Sequence, residues 1–326
     1  MTNTRNPRYN LPLLLVNYLF LFIGSLSSSL LSKYYFIHKG SSIWISTWVQ
    51  CAGFPLLVLP IFLPYFLKCT TRKPFSHFTH KIYTLSILIG FLLGVNNFFF
   101  SLGSYYLPVS TSSLLLPSQL AFNLILSVLL VKQKITFSNL NCVILIVLSS
   151  VLLALESSHD KPEGLTKAKY FVGFFSTISG GLLFALYLPL MEMIFKKVYC
   201  YAMVMEMQMV VEFSATLLAT IGMVVDGGFS EKMNKEMFFN VVTWQLCFMG
   251  TAGMVFLTSS LTGGICMTAL MAINVVGGVL VYGDDFGGVK IVSTLLSSWG
   301  FASYVYGLYI KMKLEREEED MKNIPI

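Results

Sequence analysis

The chain has 326 residues, 55% hydrophobic and only 12% charged, with a formal charge of +6 at neutral pH. Soluble domains carry about twice that charged share, so water-soluble domains are excluded, and so is intrinsic disorder. The basic residues are scattered over segment ends instead of forming a stripe, which excludes nucleic-acid binding. The expected class is an all-α membrane protein whose first partner is the lipid bilayer.

In chain order, MTNTRNPRYN carries Arg5 and Arg8 but lacks the short apolar core and small-residue cleavage site of a signal peptide. Apolar runs long enough to cross a hydrocarbon layer of roughly 30 Å follow at residues 11–32, 42–67, 82–103, 108–131, 137–155, 169–195, 202–225, 238–260, 262–282 and 288–310. Backbone groups find no water inside lipid, so each run is expected to be helical. The longer connectors, 68–81, 156–168 and 226–237, are too short for an extramembrane domain. With the N-terminus inside, 14 of the 22 Lys and Arg residues face the cytoplasm and 8 face outward. Both termini are therefore expected to be cytoplasmic. The polar hinge EGLTKAK separates residues 1–160 from 161–326, five spans each. An odd number per half implies two inverted five-helix repeats, the plan of many secondary transporters. A short internal match, LLVKQKI (129–135) with LVYGDDF (280–286), places Asn123 opposite Asn274.

Several chemistries find no support. The six cysteines show no metal or redox spacing and read as small hydrophobes. All four histidines fall in connectors, so neither a metal nor a cofactor is expected. Hydrolase, metalloprotease and nucleotide-loop motifs are absent, and Asp284-Asp285 reads as a polar turn. No Lys or Arg lies deep in a span, which argues against a phosphorylated substrate. Gly24-x-x-x-Ser28, Gly90-x-x-x-Gly94, Gly250 with Gly253, Gly180-Gly181 and Gly277-Gly278 read as close helix-packing positions.

Amides and a few carboxylates remain inside the spans. Gln119 and Asn123 share one helix face; Gln50, Asn96, Asn97, Gln245 and Asn274 lie in other spans. Each taken alone reads as an interhelical hydrogen bond, but their number on facing helices points to a polar cavity. An amide offers a donor and an acceptor side by side, matching the edge of a nitrogen heterocycle. Tyr187, Trp244 and Phe98–Phe100 could supply a stacking surface; Trp44 and Trp48 read as interfacial anchors. Glu192 precedes Lys196 by four and reads as a surface pair. Glu206 sits about one turn into its span, within reach of water. Glu212 lies near the midplane on the same face as Gln208, where an ionised acid is costly and requires either a proton or a charged ligand. The binding set read from the sequence is Gln50, Asn96, Asn97, Gln119, Asn123, Glu206, Gln208, Trp244 and Asn274. Glu212 is the group expected to couple a proton, with Glu206 as its competitor.

The blocks IWISTWVQCAGFP (43–55) and LGVNNFFFSLGSYYLPVSTSSLLLPSQLAFN (93–123) resemble the plant purine permease family of the drug/metabolite transporter superfamily. KYYFIHKGSS (33–42), YFVGF (170–174), MEMQ (205–208), WQ (244–245), SSL (259–261) and WGFASYVYG (299–307) extend the likeness over nearly the whole chain. The resemblance implies ten helices in two inverted halves and proton-coupled uptake of adenine, cytokinins and related heterocycles, or of alkaloids such as nicotine and benzylisoquinolines. The chain departs from the family pattern at Asn96, where Asp is common; at Glu212, where a small residue is usual; at Glu192, where Gln is usual; and at Ser25, often Gln. These departures move the acid from the third span to the seventh and favour an amine-bearing ligand. The resulting expectation is a plasma-membrane symporter for small nitrogen heterocycles. The alternatives are a non-transporting membrane receptor and an intramembrane enzyme.

Overall fold

The computed structural model describes residues 11–38, 40, 42–107, 118–157, 166–227, 235–282 and 287–322. Asp284-Asp285, most of the hinge, and the first ten residues of the fourth predicted span lie outside them. Every regular element among the described residues is helical. The helices are α1 (Leu11–Ile37), α2 (Ile43–Cys51), α3 (Val58–Phe66), α4 (His80–Tyr106), α5 (Ser118–Val131), α6 (Phe137–Ser157), α7 (Lys167–Phe195), α8 (Tyr201–Asp226), α9 (Lys235–Leu257), α10 (Ser260–Tyr282) and α11 (Gly288–Lys322). A single 3₁₀ turn, Phe54–Leu57, joins α2 to α3. Among the described residues, six segments are long and apolar enough to cross a membrane: 11–37, 43–66, 80–106, 168–195, 201–226 and 235–257. A helix of 27 residues such as α1 spans about 40 Å, more than the hydrocarbon layer requires.

Local chemistry sets several ends. The Ser42 hydroxyl caps α2 by accepting the Ile45 amide at 3.2 Å. Gly227, at φ +71°, closes α8 in the left-handed conformation that glycine adopts without a Cβ penalty. Large apolar side chains cover the outside of the bundle, among them Leu59, Phe175, Ile221, Val225 and Leu295, each more than half exposed. Lipid, not water, suits such a perimeter.

Inside, α1 packs chiefly against α9, α4 lies between α7 and α8, α5 against α7, and α6 against α11. Small residues permit these approaches. A Cβ on Gly24 would lie 2.3 Å from the Cys247 nitrogen, and one on Gly250 would lie 2.3 Å from the Leu21 nitrogen. Gly90 similarly receives the Val211 carbonyl of α8, and Gly94 faces Ala215. The packing reading of these glycines holds. Trp44, half-buried, stacks its ring on Phe98 at 4.4 Å and lies against Gly222.

Candidate functional site

The site begins at a broken helix. Pro55 has no amide hydrogen, so the carbonyl of Cys51, four residues earlier, loses its intrahelical donor. Helix α2 ends there, and the Cys51 carbonyl accepts instead from the Thr216 hydroxyl of α8 at 2.9 Å. That hydroxyl also reaches the Glu212 carbonyl at 2.7 Å. The break leaves Gly53 beside Gln245 of α9, whose Oε1 would lie 2.4 Å from a Cβ on that glycine.

Glu212 is the centre of this region and is 1% exposed. Its Oε1 accepts two amide hydrogens, from Gln208 Nε2 at 2.9 Å and from Gln245 Nε2 at 3.2 Å. Tyr187 of α7 donates to Gln208 Oε1 at 3.5 Å. From α4, Asn97 donates to the Cys51 sulfur at 3.2 Å, and Asn96 donates to Asn97 Oδ1 at 3.0 Å. Gln50 donates to Ser101 Oγ at 2.8 Å, and Ser101 in turn donates to Ser46 at 3.1 Å. Helices α2, α4 and α8 thus bring Gln50, Asn96, Asn97, Gln208 and Glu212 into one buried polar region, with Tyr187 of α7 and Gln245 of α9 beside them.

Three polar atoms of this region are buried without a hydrogen-bond partner among the described residues: Gln50 Oε1, Gln245 Oε1 and Glu212 Oε2. An unmet buried polar group costs about 1–3 kcal/mol, so a polar ligand that paired with them would recover that energy. Neither ion pair among the described residues involves Glu212. Aromatic surface lies close by, with Trp244 stacked on Phe248 at 5.6 Å and edge-on to Phe100 at 6.0 Å.

Other sequence-derived candidates bond to other partners. Asn123 donates to the Ser260 carbonyl at 3.1 Å and accepts from Ser127 at 3.1 Å, tying α5 to α10. Its helical neighbour Gln119 lies against Gly181 of α7. The Trp244 indole donates to Ser32 at 3.3 Å. Asn274 sits on α10, half-buried. Glu206 does not reach water as expected: it is 2% exposed and its carboxylate accepts from Arg72 at 2.7 Å. Glu192 pairs loosely with Lys196, at 3.9 Å, and accepts the Ser260 amide at 2.7 Å, so it also caps α10. The binding set omitted Gln245, Cys51 and Ser101. The proline four residues after Cys51 was the available signal for the second of these.

A cavity of about 70 Å³ opens where α1, α2 and α9 meet, lined by Ser32, Tyr35, His38, Ser46, Glu236 and Asn240 among others. Ser46 belongs both to this cavity and to the Ser101–Gln50 chain, so polar contacts continue from one end of the bundle towards the buried acid.

Gly53→Ala tests the placement of Gln245. The new methyl group would meet the Gln245 amide oxygen and also its Cβ, at 2.8 Å, so stability should fall by about 1–3 kcal/mol. Glu212 would lose one of its two donors, and half-saturation in uptake is expected to rise about 2- to 10-fold. Unchanged kinetics together with unchanged expression would remove Gln245 from the site.

A lipid-facing helical bundle with buried amides and one acid at a broken helix defines a multi-pass membrane protein of the transporter class. Residues 12–314 match the family described as purine nucleobase transmembrane transport. Probable purine permease 4 of Arabidopsis thaliana is 62% identical over 300 residues, covering 87% of this chain and 78% of that protein. Purine permease 3 of the same plant is 33% identical, covering 90% of each. A solved crystal structure shares the fold with a TM-score of 0.65 at 12% identity, covering 90% of this chain and 96% of the other. The chain belongs to the plant purine permease family, and is accordingly a transporter and not an enzyme.

Proposed function

We propose that the protein takes up purine-like nitrogen heterocycles, adenine or cytokinin in character, by coupling their entry to protons at the plasma membrane. The observation that carries this reading is the bonding of Glu212. Two glutamines donate to one of its oxygens, the other is buried and unmet, and no Lys or Arg pairs with it among the described residues. A carboxylate so placed is stable only with a proton or a cationic ligand. The same geometry favours a second substrate reading, an amine-bearing alkaloid whose ammonium pairs with Glu212. Uptake of labelled adenine, trans-zeatin, caffeine and a benzylisoquinoline by yeast expressing the protein separates these readings. Accumulation of none of them in cells with surface expression would overturn the proposal.

Ten spans in two inverted halves are part of this reading, with alternating access achieved by rocking one half against the other. Helix pairing supports it. Shifting every span by five converts the α1–α9 contact into α7–α4 and the α5–α7 contact into α10–α1, while α6–α11 maps onto itself. All of these contacts occur. The basic-residue asymmetry orients the bundle with both termini inside. A cysteine placed at 158–165 is expected to react with an impermeant maleimide on intact cells, and native Cys69 only after permeabilisation. The reverse pattern would invert the topology.

A further inference from the structure

We infer that the 67–79 connector is the inner gate of the transporter, held shut by the Arg72–Glu206 ion pair. The inference rests on the transport reading above.

Three features support it. The connector's guanidinium, on Arg72, is drawn in against α8 while Lys68, Thr71 and Lys73 around it are exposed. The acid it meets is almost fully buried, one turn inside the start of α8. Lys68, at φ 57°, closes α3 as its left-handed cap, the Cys69 amide bonding the Pro64 carbonyl at 2.9 Å, but Phe75, at φ 59°, adopts that region inside the connector. An aromatic side chain seldom adopts that conformation unless surrounding contacts impose it.

Phe75 shows what imposes it. Its ring meets Phe62 of α3 at 6.3 Å, Phe78 at 5.3 Å and Tyr83 of α4 at 6.3 Å. It also packs on Leu57, Ile61 and Met249, the same patch that Tyr201, Met205 and Met209 of α8 cover. The connector therefore lies as a strap across α3, α8 and α9, pinned by an aromatic plug and an ion pair. At the opposite end of the bundle, α1, α2 and α9 leave the cavity that leads to Ser46. One end holds this cavity and the other is strapped. A substrate held near Glu212 can leave inward only when Arg72 separates from Glu206 and the Phe75 plug withdraws.

Cys200 reports the change. It caps α8 beside Tyr201 and is half-buried, while Cys51, Cys142, Cys247 and Cys266 are buried. In a Cys69→Ser background, maleimide labelling of Cys200 in inside-out vesicles measures strap opening without any substrate. Glu206→Gln and Arg72→Gln should each speed labelling on the order of tenfold, because the first frees a partly exposed guanidinium to turn to water and the second leaves Glu206 buried and uncompensated. Phe75→Ala removes the aromatic plug and leaves the ion pair in place, so labelling should speed about two- to fivefold. In the wild type, external adenine under an inward proton gradient should speed labelling severalfold as the cycle releases the strap. Wild-type labelling in both neutralised variants, or in Phe75→Ala, would overturn the gate. If the neutralised variants do not reach the membrane, Phe75→Ala alone decides. If adenine neither enters cells nor alters labelling, the transport reading falls, and the substrate-independent variants still decide the gate.

Discussion

Glu212→Gln is expected to abolish concentrative uptake and to flatten its dependence on external acidity. The glutamine is isosteric, and its carbonyl can still accept from Gln208 and Gln245, so the surrounding amides should stay in place. What disappears is the one carboxyl group that the described residues place among these amides. For a carrier moving one proton per substrate, each pH unit across the membrane supports about tenfold accumulation. The variant should equilibrate its substrate, with an inside-to-outside ratio near one, and give equal initial rates in acidic and neutral media. Glu206→Gln is the contrast. Its carboxylate is committed to Arg72, so the pH profile should survive even if the gate leaks. A Glu212→Gln transporter with a wild-type pH profile would reduce Glu212 to a buried hydrogen-bonding acid.

The largest effect on stability is expected at the α1–α9 contact. In Gly24→Val the new side chain meets the Cys247 nitrogen and α-carbon and the Thr243 carbonyl, and in Gly250→Val it meets the backbone of Leu21 and Asn17. Backbone atoms of two packed helices cannot yield as a flexible side chain can. Overpacking typically costs 1–3 kcal/mol, and helix separation here should place each variant at or above about 3 kcal/mol. Gly288 at the start of α11 has nothing within 4 Å of an added Cβ, and Gly288→Ala should be neutral or slightly stabilising. Heating detergent-solubilised protein and measuring the surviving monodisperse fraction checks this. A Gly24→Val protein with the wild-type midpoint would show that the two helices do not need their close approach.

The helical character of the fold was legible because lipid imposes a simple rule: a long apolar run must satisfy its backbone internally. The second predicted span shows where that rule loses resolution. Hydropathy reads 42–67 as continuous, whereas Pro55 interrupts hydrogen bonding and splits it into α2, a 3₁₀ turn and α3. The site was legible as a set of residue types, since amides and acids are rare in such spans. Which of them meet was not. Gln119 and Asn123 share a helix face, yet Asn123 is engaged by Ser260 and Ser127, partners more than one helix away or on the next turn. Glu206 looked solvated because periodicity gives depth along its own helix and cannot show a connector folding back over it. Arg72 is 134 residues distant in sequence, and only tertiary structure joins them.

The proline-made break in the second span also bears on how fast a ligand can be captured. A helix unwound by its ligand would lose backbone hydrogen bonds at every binding event, and association would wait on that rearrangement. Here the loss at Cys51 is fixed by covalent structure, and the Thr216 hydroxyl compensates it before any ligand arrives. The break between α2 and α3 is thus preorganised. Association rates are expected to follow access from the cavity lined by Ser46, with remodelling of the second span contributing little to the barrier.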